Sequence, residues 1–123
     1  SDYVGGVVAE MPVGIDIEKR RPIHPGLMEK IAGKEEWALV TDQTAINFLR
    51  IWTAKEAVLK AMRVGFTGLS KCHIVDIVDD HHLVVAYDGS PFNVHQTWFT
   101  ENHIAAITQV GPQTALSIRW HYI

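Results

Sequence analysis

Trp52-Thr53-Ala54-Lys55-Glu56-Ala57-Val58-Leu59-Lys60-Ala61 contains neither glycine nor proline and reads as helix. Around it Ala45, Phe48, Leu49, Trp52 and Leu59 recur at helical spacing, and Ile51, Val58 and Met62 widen the stripe. The pattern predicts one long helix from Asp42 to about Arg63, with Asp42 or Thr44 as N-cap, packed on a sheet over most of its length. Thr53, Lys55, Glu56 and Lys60 are its polar exceptions. Glu56 and Lys60 stand four apart and so share a face. Taken alone, that is a helix-stabilising surface pair worth roughly 0.3–0.5 kcal/mol.

Upstream, Val13-Gly14-Ile15-Asp16-Ile17-Glu18 alternates like a strand. Val13, Ile15 and Ile17 face one way, and Gly14, Asp16 and Glu18 the other. Pattern alone makes this a half-buried strand with a solvated polar face. Gly14, set between apolar residues, hints at close backbone approach. Strand and helix together can bring Asp16, Glu18, Glu56 and Lys60 to one point. Three carboxylates and an amine there suit a hard divalent cation and a polyphosphate.

The rest of the chain fills in around this pair. Tyr3 to Ala9 reads as a buried strand, weakened at Gly5 and Gly6, and the turn Glu10-Met11-Pro12 joins it to the next strand in a hairpin. Lys19-Arg20-Arg21-Pro22 is a basic turn, either a solvated loop or a contact for phosphate or an acidic partner. Pro25 to Ala32 reads as a short helix with Leu27, Met28 and Ile31 on one face, and Gly33 suits its stop. A second short helix begins near Lys34 and carries Glu35, Glu36 and Trp37. Gly65-Phe66-Thr67-Gly68-Leu69 ends the long helix. Beyond it the chain is β-rich, with strands expected at Cys72 to Val78, Leu83 to Tyr87, Phe92 to Phe99, His103 to Val110 and Ala115 to Tyr122. Asp79-Asp80-His81-His82 and Asp88-Gly89-Ser90-Pro91 are the turns between them. The fold class is therefore α+β: an antiparallel sheet packed on one long helix, with short helices after the second strand.

Composition narrows the function classes. The 123 residues suffice for one domain with a core, and 47% apolar with 20% charged residues is ordinary for a globular protein. A net charge of −3 disfavours nucleic acid as a partner. The single Cys72 cannot form an internal disulfide, which fits a reducing, cytoplasmic setting. No apolar run is long enough to span a membrane, and Ser1-Asp2-Tyr3 does not open like a signal peptide. Seven histidines invite a zinc reading, but neither HxH nor HExxH occurs, and one cysteine supplies no thiolate set. No hydrolase signature and no phosphate-cradling glycine loop is present.

Gly14-Ile15-Asp16-Ile17-Glu18, followed about forty residues later by Trp52-Thr53-x-Lys55-Glu56-Ala57-x-x-Lys60, resembles the phosphopantetheinyl transferases. More closely it is similar to the C-terminal half of the larger class, which activates peptide and polyketide synthases. The resemblance runs from about Tyr3 to Ala106. It implies transfer of the 4′-phosphopantetheine arm of coenzyme A to a serine of an acyl, peptidyl or polyketide carrier protein. It implies Mg²⁺ held by Asp16, Glu18 and Glu56, with Glu56 as base and Lys60 on the leaving phosphate. Lys55 would also meet coenzyme A phosphate. Glu36, followed by aromatic Trp37, would be an additional acidic site residue, with Glu35 beside it as a rival. Arg20, Arg21, Leu27, Met28 and Ile31 would contact the carrier protein. The glycines after the helix fall later than the family's Gly-x-Gly-Leu, as a loop variant. The larger class has two similar halves, the first with adenine and 3′-phosphate contacts and a His-Ser element. The present sequence is read as a single domain, 1–123, equivalent to one half. The expectation is a homo-oligomer or a partner N-terminal half. The competing reading is a non-catalytic carrier-protein-binding domain.

Overall fold

A computed structural model of the protein describes residues 12–40 and 44–111. The expected strands at 3–9 and 115–122, and Asp42 as an N-cap, lie outside the described residues.

The long helix, α3, spans Ala45–Ala61, shorter at both ends than the apolar stripe predicts. The Thr44 hydroxyl accepts from the Asn47 N–H at 3.2 Å and sets the start. At the other end Arg63 takes a left-handed backbone, φ 56°. Its N–H bonds Lys60 O at 3.2 Å and the Val64 N–H bonds Leu59 O at 3.0 Å. This pair of bonds is a Schellman closure, made with arginine where glycine is usual.

Ahead of α3 come strand β1, Val13–Lys19, and the short helices α1, Pro25–Ile31, and α2, Lys34–Trp37. The Trp37 indole N–H ties α2 to α1 through Met28 O at 2.8 Å. After α3 a 3-10 helix, Phe66–Lys71, leads into a four-stranded meander: β2 Cys72–Asp79, β3 His82–Tyr87, β4 Ser90–Thr100 and β5 His103–Gln109. Tyr87 and Ser90 pair across a two-residue turn in which both Asp88 and Gly89 have positive φ, the backbone that an Asp-Gly hairpin favours.

β1 closes the far side of the meander by pairing antiparallel with β5, so the sheet order is β1-β5-β4-β3-β2. One face carries Leu83, Val85, Phe92, Val94, Ile104 and Ala106, all buried with Leu49, Ile51, Val58 and Leu59 of α3. The α+β expectation is met: one helix lies on one face of an antiparallel sheet. No helix among the described residues is long and apolar enough to cross a membrane.

On β1 the acidic face meets the helix, as the motif reading expects and the bare alternation does not. Gly14 and Asp16 are buried against α3, while Val13, Ile15 and Ile17 are half-buried on the opposite side. Gly14 explains this. A Cβ there would stand 1.9 Å from Ala57 O and 2.5 Å from Ala61 N. Only glycine lets the two backbones touch, and that contact draws the acidic face of the strand under the helix.

Candidate active site

Asp16 lies one register step beyond Gly14 on the helix-facing side, 4% exposed. Its Oδ1 accepts from Lys60 Nζ at 2.6 Å, and its Oδ2 is buried without a hydrogen-bond partner. Lys60 reaches down from the last turn of α3 with its side chain 52% exposed, so its ammonium stands at the mouth of the site. Glu18, the next residue along the same face, is half-buried, and its Oε1 accepts from the Trp52 indole N–H at 2.8 Å. Glu56, one helical turn before Lys60, feels the charges of Asp16, Lys60 and Glu18. The sequence placed Asp16, Glu18, Glu56 and Lys60 together, and the structure brings all four to one end of the β1–α3 contact.

The electrostatics are those of crowded carboxylates. Burial holds the Asp16 carboxyl above the usual carboxylate range; the Lys60 hydrogen bond works against this and the Glu18 charge adds to it. Glu56 is raised as well, first by burial, then by Asp16, with Lys60 opposing and Glu18 adding. For Lys60, burial pulls the ammonium down, but the Asp16 hydrogen bond and the charges of Asp16, Glu56 and Glu18 outweigh it and raise it.

Among the described residues no three acidic, histidine or cysteine side chains stand as a ready metal cage. Lys60 holds one oxygen of Asp16, and Trp52 holds one of Glu18. The remaining donors nonetheless fit a hard cation. They are all oxygens, one is buried and orphaned, and two of the carboxyls are raised partly by their neighbours' charge. A divalent cation would satisfy the orphan and relieve the repulsion.

Lys55 and Glu36 lie elsewhere. The Lys55 side chain points into the protein, 1% exposed, and not toward the phosphate surface expected for it. Its Nζ meets Glu36 Oε1 at 2.7 Å and donates to Ile31 O. Glu36 also accepts from the Ile74 N–H and the Gly33 N–H, each at 2.8 Å. The pair thus ties α3, α2, the end of α1 and the edge strand β2 together. Glu35 is exposed, so Glu36 is the structurally engaged member of the two. Of the expected carrier contacts, Arg20, Arg21 and Leu27 are exposed, and Met28 is half-buried on the core. Ile31 is 3% exposed and belongs to the core, because the C-terminus of α1 is pinned by Lys55.

Two participants were missed from sequence. The apolar stripe and the family motif both include Trp52 without giving it a partner, yet its N–H reaches Glu18. Phe66, at the start of the 3-10 helix, lies 6.0 Å from the Trp52 ring. An indole four residues before Glu56, one helical turn away, was the available signal.

Comparison with known proteins gives the family. The sequence model of the 4′-phosphopantetheinyl transferase superfamily matches residues 12–108, which cover β1, α3 and the whole meander down to Thr108. The 4′-phosphopantetheinyl transferase psf-1 of Bacillus pumilus is 36% identical over 74 residues, 56% of this chain and 32% of that protein. The 4′-phosphopantetheinyl transferase ffp of Bacillus subtilis is 30% identical over 69 residues, 53% of this chain and 31% of that protein. The chain thus spans about a third of the length of the curated relatives it matches. With the family match running through both β1 and α3, which supply the acidic cluster, the chain belongs to the 4′-phosphopantetheinyl transferase superfamily.

Proposed function

We propose that this protein is a transferase that moves the 4′-phosphopantetheine arm of coenzyme A to a serine of an acyl, peptidyl or polyketide carrier protein. Adenosine 3′,5′-bisphosphate is the other product. The observation that carries the reading is the buried, unpartnered Oδ2 of Asp16 amid Glu18, Glu56 and Lys60, in a chain of this family.

Asp16, Glu18 and Glu56 are the residues that would hold Mg²⁺. When bound, the ion neutralises pyrophosphate charge that would otherwise repel the carboxylates. The serine Oγ–phosphorus bond forms at the β-phosphate as the bond to the bridging oxygen breaks. The serine proton goes to Glu56, directly or through a water. Burial and its neighbours raise the proton affinity of Glu56 in the metal-free protein; a bound cation would lower it, which favours the relay through a water. Lys60 stays protonated, with its raised proton affinity, and the ammonium of this half-exposed side chain hydrogen-bonds the departing phosphate oxygen. Asp16 Oδ1 keeps that ammonium in place. Lys55 and Glu36 hold α3 rather than the reactants. Arg20 and Arg21, exposed just past β1, and Leu27 on α1 form the surface for an acidic carrier protein.

A second reading is a carrier-protein-binding domain without transfer, or one whose coenzyme A site is completed by a second copy or by an N-terminal half. The match to about a third of the relatives' length leaves it open. The test is incubation with coenzyme A, Mg²⁺ and a panel of apo carrier proteins, read by mass spectrometry, with Glu56→Gln alongside. Transfer by the wild type, reduced at least about a hundredfold in the variant, supports the transferase. Carrier binding without transfer, and no coenzyme A uptake by calorimetry, supports the second reading.

A further inference from the structure

Glu18 reaches the acidic cluster from a strand end, where nothing in its own backbone fixes the carboxylate. What fixes it is Trp52. The indole has one donor, and that donor is spent on Glu18 Oε1 at 2.8 Å. The ring itself meets two other aromatic rings. Phe48 stacks at 6.4 Å with planes 17° apart, and Phe66 leans on it at 6.0 Å and 52°. Aromatic contacts of this kind hold a ring's orientation, so the direction of the N–H is set before any ligand arrives. We propose that Trp52 is a positioning residue: by holding one oxygen of Glu18 it leaves the other for a divalent cation shared with Asp16 and Glu56. The inference rests on the proposed reading of the cluster as a cation site.

The same contact assigns a job to Phe66. It is 66% exposed, far above the other exposed large apolar side chains of the described residues. Its ring, though exposed, stays in contact with the indole. The late position of the glycines after α3 places this ring there: Gly65 caps the 3-10 helix, and Phe66 is its first residue.

The experiment is Mn²⁺ binding to the full chain, by electron paramagnetic resonance of the free ion and by calorimetry. Wild type, Trp52→Phe, Glu18→Gln and the double variant are compared. Trp52→Phe keeps a ring and loses the N–H. It is expected to weaken Mn²⁺ binding about tenfold, as loss of an outer hydrogen bond to a ligand does. In the double variant the loss should be no greater than in Glu18→Gln alone, because Trp52 acts through Glu18. Wild-type affinity in Trp52→Phe overturns the inference while leaving the cation site standing, and so does full additivity in the double variant. A wild type that binds no Mn²⁺ overturns the cation reading itself, and the positioning role falls with it. Should Trp52→Phe not fold, Phe66→Leu carries the test, since it loosens the indole from an exposed position. It should weaken Mn²⁺ binding in the same direction, and unchanged affinity overturns the inference.

Discussion

Lys55 and Lys60 stand on the same helix, and each meets a carboxylate delivered by another element. Lys55 is enclosed. Its ammonium, Glu36, Ile31 O and two backbone N–H groups form a network in which the carboxylate's oxygens are all engaged. Lys60 is half in solvent, and its partner Asp16 keeps a buried oxygen, Oδ2, without a hydrogen-bond partner. A closed pair stabilises a fold by holding its elements in one arrangement. An open pair retains unsatisfied charge, which is what a substrate or ion can satisfy. On the proposed reading the contrast assigns chemistry to Lys60 and architecture to Lys55, although the two sit in one ten-residue motif.

The sharpest way to break the contrast is to remove each lysine. Lys55→Met leaves Glu36 as an uncompensated carboxylate in the interior and should cost about 3–5 kcal/mol of stability. Lys60→Met also strips a buried carboxylate, but Asp16 is already raised toward protonation and can take up a proton instead. Its cost should be about 1–2 kcal/mol. Urea unfolding of both variants measures the difference. Equal costs would mean that the two pairs are energetically alike and that the division of roles is wrong.

The second prediction strikes the device that makes the open pair. Gly14→Ala sets a methyl group against Ala57 O and Ala61 N, neither of which can step aside without moving α3. The expected cost is about 1–3 kcal/mol by thermal or urea unfolding, the range for forced repacking. It should also weaken Mn²⁺ binding, because Asp16 and Glu56 are held together across this contact. A stable variant with full Mn²⁺ affinity would show that β1 and α3 can separate without dispersing the cluster.

Legibility from sequence follows the same division. Helix α3, the meander and the four residues of the open site were readable because each follows a short-range rule: helical spacing, strand alternation, or a motif. Gly14 could be suspected, since a glycine within an alternating strand has few other uses. The closed pair was not read, although a signal was present. Lys55 has Ile51 and Leu59 four residues to either side, both in the core, so it lies on the apolar stripe of its own helix. A lysine there must be buried with a partner. The partner, Glu36, is nineteen residues away on a different helix, and no local pattern names it. The same limit applied to β1. Alternation tells which residues share a face but not which face meets the helix; the bare pattern favours the apolar side, and only the motif points to the acidic one. The glycine contact decides for the acidic side.

Cys72 offers the mildest test, because it reports on the closed pair without altering it. The thiol is 1% exposed at the start of β2, and its proton affinity responds to burial first, then to Lys55, Glu36 and Glu56. Burial dominates and pushes the thiol from 9.0 up to about 11. The folded state therefore keeps this proton while the unfolded chain gives it up between pH 9.0 and about 11. Folding then binds more protons than unfolding in that window, so the contribution of Cys72 to stability falls as pH rises through it. Cys72→Ala should flatten this alkaline decline, measured as the unfolding midpoint against pH. In the native protein at pH 8, iodoacetamide should label Cys72 only as fast as the chain opens. In Lys55→Met the labelling should quicken in step with the lost stability, whereas in Lys60→Met it should change far less. Rapid labelling of the folded wild type would mean that the region around the closed pair opens on its own, and that the enclosure of Lys55 is not what holds α2 and β2 to the helix.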